Sequence, residues 1–173
     1  MKGIHDVVLL GDPILRERAR EVEVFDETLS ALVRSMFRTM VAEEGAGLAA
    51  PQIGFSIRVI VADDGRSSGE GGGRIALVNP RIVDSSEEES RESEGCLSVP
   101  GVSDVVPRPA WVVVEGFDPE GAPIRVEVGG LMSRILQHEV DHLDGILFFD
   151  RISPLKRRML LRKYRKLREE EEG

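Results

Sequence analysis

One cysteine in 173 residues excludes an internal disulfide, and nothing else in the chain argues for secretion. No run of about 18 apolar residues is present, so no transmembrane helix is expected. The opening "MKGIHDVVLLGDPIL" has only a short apolar patch before Gly-Asp-Pro and does not read as a signal peptide. The expectation is a cytoplasmic protein with no membrane partner. An excess of positive charge is lacking too, since the formal net charge is −8. The balance is uneven, however. Residues 155–168, "LKRRMLLRKYRKLR", hold eight basic side chains and no acidic one, which leaves 15 basic and 27 acidic side chains in residues 1–154. An acidic body disfavours nucleic-acid binding in general, DNA included, while the basic stretch could touch RNA locally.

What is present suits one domain over residues 1–173, with a core of about 4–153 and a basic C-terminal helix of about 154–172 begun by Pro154. No internal repeat is visible. In "DETLSALVRSMFRTMVAEEG" the apolar residues Leu29, Leu32, Val33, Met36, Phe37, Met40 and Val41 have the spacing of an amphipathic helix. Asp26 is its expected N-cap and Gly45 its stop. "RVIVAD", "RIALVNPRIV", "WVVVEGF" and "PIRVEV" are rich in β-branched residues and bounded by Gly, Pro and Asp, as strands are. The Gly-rich residues 63–74 read as a long hairpin connection, and "DSSEEESRESEG", residues 84–95, as an exposed polar loop. A second long helix is expected from about Leu131. It carries Leu131, Ile135, His138 and His142 on one stripe and Met132, Leu136, Val140 and Leu143 on another. A helix apolar on two sides is a buried one. The predicted class is α+β: antiparallel or mixed sheets packed around this central helix, with a helix at the C-terminus.

The central helix contains "QHEVDH", residues 137–142, which holds two of the three histidines. Histidines four apart on a helix project from one face and can share a metal ion, and Glu139 is then placed to accept a proton from metal-bound water. Buried without a metal, two imidazoles on an apolar stripe would need other partners. A catalytic ion of this kind takes three protein ligands. The following "LDGILFFD" supplies no third histidine, only Asp144 and Asp150. Upstream stands Cys96, in "EGCLSVPG". Its surroundings predict a tightly turned loop, although a small core residue or a cysteine nucleophile with His138 as its base are also open readings. Spacing alone does not bring Cys96 to His138.

Three motifs, "GAGLAAPQIG" (45–54), "EGCLSVPG" (94–101) and "QHEVDHLDG" (137–145), resemble in order and spacing those of the peptide deformylase family. "GDPILRERAREV", "ALVNPRIV", "VPRP" and "GILFFDRI" are similar to its connecting segments, so the likeness spans about residues 4–155. It resembles the bacterial members with a helical C-terminus. The resemblance implies removal of the formyl group from the N-terminal formyl-methionine of nascent proteins, with release of formate. It implies Cys96, His138 and His142 as ligands of one divalent ion, Fe²⁺ in the cell and Zn²⁺ or Ni²⁺ in purified protein. Metal-bound hydroxide would attack the formyl carbon, Glu139 would act as general acid and base, and the Gln52 amide with the Leu97 N–H would stabilise the oxyanion. Leu131 and Ile135 would wall the methionine side chain, and Gly45, Ala46, Gly47 and Gly95 would let the peptide approach. Ser133 stands where many members carry alanine, and Ala46 is smaller than the residue common there. Further expectations are a monomer and a ribosome contact through the basic helix. The alternative is an HExxH zinc peptidase with a carboxylate third ligand.

Overall fold

The structure, a computed structural model, describes residues 3–66 and 73–172. Helix α1 is Glu27–Ala42, and the Asp26 carboxylate accepts from the Leu29 N–H at 3.1 Å. That bond satisfies one of the donors that a helix start leaves unpaired. Leu29, Val33, Met36 and Met40 are buried against Leu48, Ile53, Val59 and Val61. The stop differs from expectation. The helix ends at Ala42, and the left-handed conformation falls on Glu44 (φ 57°), one residue before Gly45.

Strands β1 (Gly47–Ala49), β2 (Val59–Asp63) and β3 (Arg74–Ser85) come next, then β4 (Glu89–Cys96) and β5 (Val99–Pro109), and last β6 (Trp111–Phe117) and β7 (Pro123–Gly129). Five of them make one antiparallel sheet in the order β1-β2-β3-β6-β7, while β4 and β5 pair separately. The four sequence runs rich in β-branched residues are β2, β3, β6 and β7. Asp63 pairs with Arg74, so the Gly-rich stretch does link a hairpin; its residues 67–72 lie outside the described residues.

The expected polar loop at 84–95 is a correction. Residues 89–96 form β4, which pairs along its length with β5 from Glu89↔Pro109 to Gly95↔Ser103. Most of β4 is exposed, which is why it lacks the apolar alternation that marks a half-buried strand. Pro107 and Pro109 mask β5 in the same way, because proline suits strands that have a free edge, as both strands of a two-stranded sheet do.

Helix α2, Gly130–Leu143, runs between the two sheets, and every residue from Met132 to Leu143 is buried. Met132, Ile135, Leu136, Val140 and Leu143 pack on Ile60, Ala62, Leu77, Val112 and Val114 of the larger sheet. Its polar side faces β4 and β5. Helix α3, Pro154–Glu172, buries Leu160 and Tyr164 against Val99, Val102, Val106, Phe148 and Phe149. Two such side chains stabilise its docking by about 1.5–3 kcal/mol each. Lys156, Arg158, Arg162, Lys163, Arg165 and Lys166 are left exposed. Among the described residues no helix is long and apolar enough to cross a membrane.

Candidate metal centre

Cys96 is the last residue of β4. The register shifts between Gly95 and Cys96, and Cys96 then pairs with Val99 across the Leu97–Ser98 turn. The cysteine therefore stands at a tight turn, as its neighbours suggest. That turn brings Sγ to α2, where His142 Nε2 lies 3.3 Å away. The two imidazole rings face the same point, their centroids 5.0 Å apart. One ligand atom from each of Cys96, His138 and His142 falls within 4.8 Å of the others. Among the described residues no other group of acidic, cysteine and histidine side chains converges in this way. Asp144 and Asp150 are occupied elsewhere: Asp144 pairs with Arg58 at 3.0 Å, and Asp150 pairs with Arg16.

The residues fit a borderline-soft divalent cation. A thiolate and two imidazoles are the donor types such ions take, and magnesium or calcium would want oxygens instead. The tautomer is set as well. His138 Nδ1 lies 2.9 Å from Glu94 Oε1, so that nitrogen donates and Nε2 is the atom at which a cation would replace a proton. Beside them Glu139 Oε1 is buried and has no hydrogen-bond partner among the described residues.

Burial pushes the Glu139 carboxyl up to about 7, with His138 and Arg108 pulling it down and Glu94 and Asp141 pushing it up. A cation at the neighbouring donors would pull it down further. Burial disfavours a charged His138, but Glu139, Cys96 and Glu94 outweigh it and hold its pKa well above the ordinary value. Burial and the charge at His138 hold His142 well below. For Glu94, burial acts upward, and the hydrogen bonds from His138 and Arg108 overcome it, leaving the carboxyl at about 2.

Cys96 and His138 line a cleft of about 590 Å³ together with Glu139, Gln52 and Leu97, while His142 is buried behind them. Gln52 is buried, and its Oε1 accepts from the Ala49 N–H at 2.9 Å. That bond turns its Nε2 toward Ser98 Oγ (3.1 Å) and Cys96 Sγ (3.6 Å). Gly45 and Gly47 flank the cleft where space is shortest. A Cβ on Gly45 would meet Leu97 Cδ1 at 2.8 Å, and one on Gly47 would meet Glu139 Oε2 at 2.7 Å. Gly95 and Ala46 line the mouth, Ile135 is buried beside Gly47, and Leu131 lies at the rim, 55% exposed. Leu131 thus edges the cleft and does not form its inner wall.

Sequence reasoning missed the ion network behind the centre. Glu94 accepts from Arg108 and Arg134 as well as from His138. Arg108 also reaches Asp141 at 3.0 Å, and Arg151 holds that same carboxylate at 2.6 and 2.7 Å. The only sequence signal was the placement of Glu94 two residues before Cys96 and of Asp141 one before His142.

A family model for polypeptide deformylase matches residues 4–158. The chain belongs to the peptide deformylase family. The deformylase of Brucella suis biovar 1 is 46% identical over 165 residues, covering 95% of this chain and 94% of that one. The one from Syntrophobacter fumaroxidans is 45% identical over 164 residues, 95% of each. Among solved structures, a peptide deformylase from Legionella pneumophila superposes with a TM-score of 0.88 at 45% identity, covering 97% of both chains. A plant peptide deformylase gives 0.89 at 37% identity, covering 99% of this chain and 92% of that one. The α+β arrangement with antiparallel sheets and a C-terminal helix is thus a peptide deformylase fold.

Proposed function

We propose that this deformylase hydrolyses the formyl group from the N-terminal formyl-methionine of nascent proteins, releasing formate, with Cys96, His138 and His142 holding one ferrous ion. The reading is carried by the convergence of those three side chains at the floor of a cleft that Cys96 and His138 line together with Glu139 and Gln52. Zinc or nickel would suit the same donors in purified protein. The bound cation supplies the Lewis acidity that makes water nucleophilic near neutral pH.

The chain's own residues do the rest. Negative charge develops on the formyl oxygen, and Gln52 Nε2 with the Leu97 N–H donates to it. The Ala49 bond to Gln52 Oε1 fixes which end of the amide faces the substrate, so this donor needs no reorganisation. Glu139 takes a proton from the attacking water and passes it to the departing amine nitrogen as the C–N bond breaks. Gly45 and Gly47 leave room for the peptide, Gly95 and Ala46 open the mouth, and Ile135 faces the methionine side chain with Leu131 at the rim. Residues 1–173 act as one catalytic unit whose core is about 4–153, working in the cytoplasm as a monomer. The exposed basic face of α3 contacts ribosomal RNA; unchanged ribosome pelleting after deletion of residues 155–173 would remove that contact.

The test is formate release from a short formyl-methionyl peptide by protein purified without oxygen and loaded with ferrous iron. Formate, with the peptide bonds intact, is expected. Cleavage of an unformylated peptide instead would favour the HExxH peptidase.

A further inference from the structure

The three donors come from two separate elements: Cys96 from β4, His138 and His142 from α2. A cation centre built this way depends on how β4 is held against α2. Arg134 lies four residues before His138, one turn earlier on the same side of α2. It is 6% exposed. Its Nη2 donates to the Ser90 carbonyl at 3.0 Å and to Ser90 Oγ at 2.9 Å, both on β4. Its Nη1 donates to the Val106 carbonyl at 2.9 Å and to Glu94 Oε2. The other oxygen of that carboxylate, Oε1, faces His138 Nδ1. One carboxylate on β4 is therefore shared by two side chains of α2, a guanidinium and a ligand imidazole, two residues ahead of the ligand thiol.

We propose that Arg134 is a positioning residue for the cation centre, fastening β4 to α2 and holding Glu94 where it orients His138. This rests on the reading that Cys96, His138 and His142 bind a cation. Arg108 also grips Glu94, but from β5, the hairpin partner of β4. Arg151 is the natural comparison. It belongs to the same network, yet among the described residues its side-chain hydrogen bonds go to Asp141 and none goes to Glu94 or Ser90. A guanidinium that merely stabilises the fold would be interchangeable with Arg151 in its effect on the centre. Arg134 is not.

The experiment loads full-length wild type, Arg134→Met and Arg151→Met with cobalt(II). It records the thiolate charge-transfer and d–d bands and follows cobalt loss to a chelator. Arg134→Met is expected to shift the bands and lose cobalt about 10-fold faster, the lower end of what outer partners of ligands contribute. Arg151→Met is expected to keep the wild-type spectrum and loss rate, whatever its thermal stability. Should Arg134→Met fail to fold, Arg134→Lys takes its place: it keeps the charge but cannot bridge Ser90 and Glu94 together, and the same shift is expected. A folded Arg134 variant with wild-type bands and loss rate overturns the proposal, as does equal loss from Arg151→Met. Wild type that takes up no stoichiometric cobalt with a thiolate band overturns the centre itself.

Discussion

Gly47 passes so close to Glu139 that a Cβ on it would stand 2.7 Å from Oε2 and 2.8 Å from Ile135 Cγ2. The strand that flanks the cleft and the Glu139 carboxyl are therefore fitted to each other. Gly47→Ala should displace the Glu139 side chain, because both of the nearest atoms belong to residues held on buried α2. A shift of about 1 Å in a catalytic group can cost about 100-fold in rate. Formate release by Gly47→Ala is expected to fall by that order, with an unchanged circular dichroism spectrum. Wild-type turnover would remove the steric argument.

In the proposed mechanism Gln52→Ala removes a donor aimed at the developing oxyanion. Such donors contribute about 100- to 1,000-fold in kcat. Steady-state kinetics should show kcat lowered by that order with KM little changed. A rise in KM alone would make Gln52 a ground-state binder.

Cys96→Ala separates the deformylase reading from the peptidase one. It should lose the cation, measured as metal per chain after gel filtration, while remaining folded. Retention of one cation per chain would mean that a carboxylate completes the site.

Much of this was legible in the sequence. The burial of α2 followed from two apolar stripes, and β2, β3, β6 and β7 from β-branched runs. The motifs marked Cys96, His138, His142, Glu139 and Gln52. What stayed hidden was polar and non-local. β4 reads "ESRESEGC", and its order depends on pairing with β5 and on Glu94 meeting residues 14, 40 and 44 positions away. A buried ion network has no periodicity to detect. It stands out only once its partners are adjacent, since a buried charge without them would be too costly to keep.

That network should govern the acid limit of the metal-free protein. The Glu94 carboxyl titrates at about 2 in the fold, below its unfolded value of about 4.5. The unfolded state therefore binds the proton more readily, so the stabilisation from this group is fully present above about pH 4.5 and is lost as pH falls through about 2. Glu94→Gln forgoes it and leaves Arg108 and Arg134 under-neutralised, at a cost of about 3–5 kcal/mol. Denaturant titrations at pH 7 and pH 3 should find the variant less stable at both. The gap between variant and wild type should be narrower at pH 3. A gap independent of pH would show that the Glu94 pKa is not lowered in the fold.

The central claim is that Glu139 moves the proton beside a cation that it does not itself hold. Iron-loaded wild type and Glu139→Ala, compared anaerobically for formate release and for metal content, address it most directly. The account predicts one cation per chain in both proteins and formate from the wild type alone. Formate release by Glu139→Ala at the wild-type rate, or none from fully loaded wild type, would contradict it.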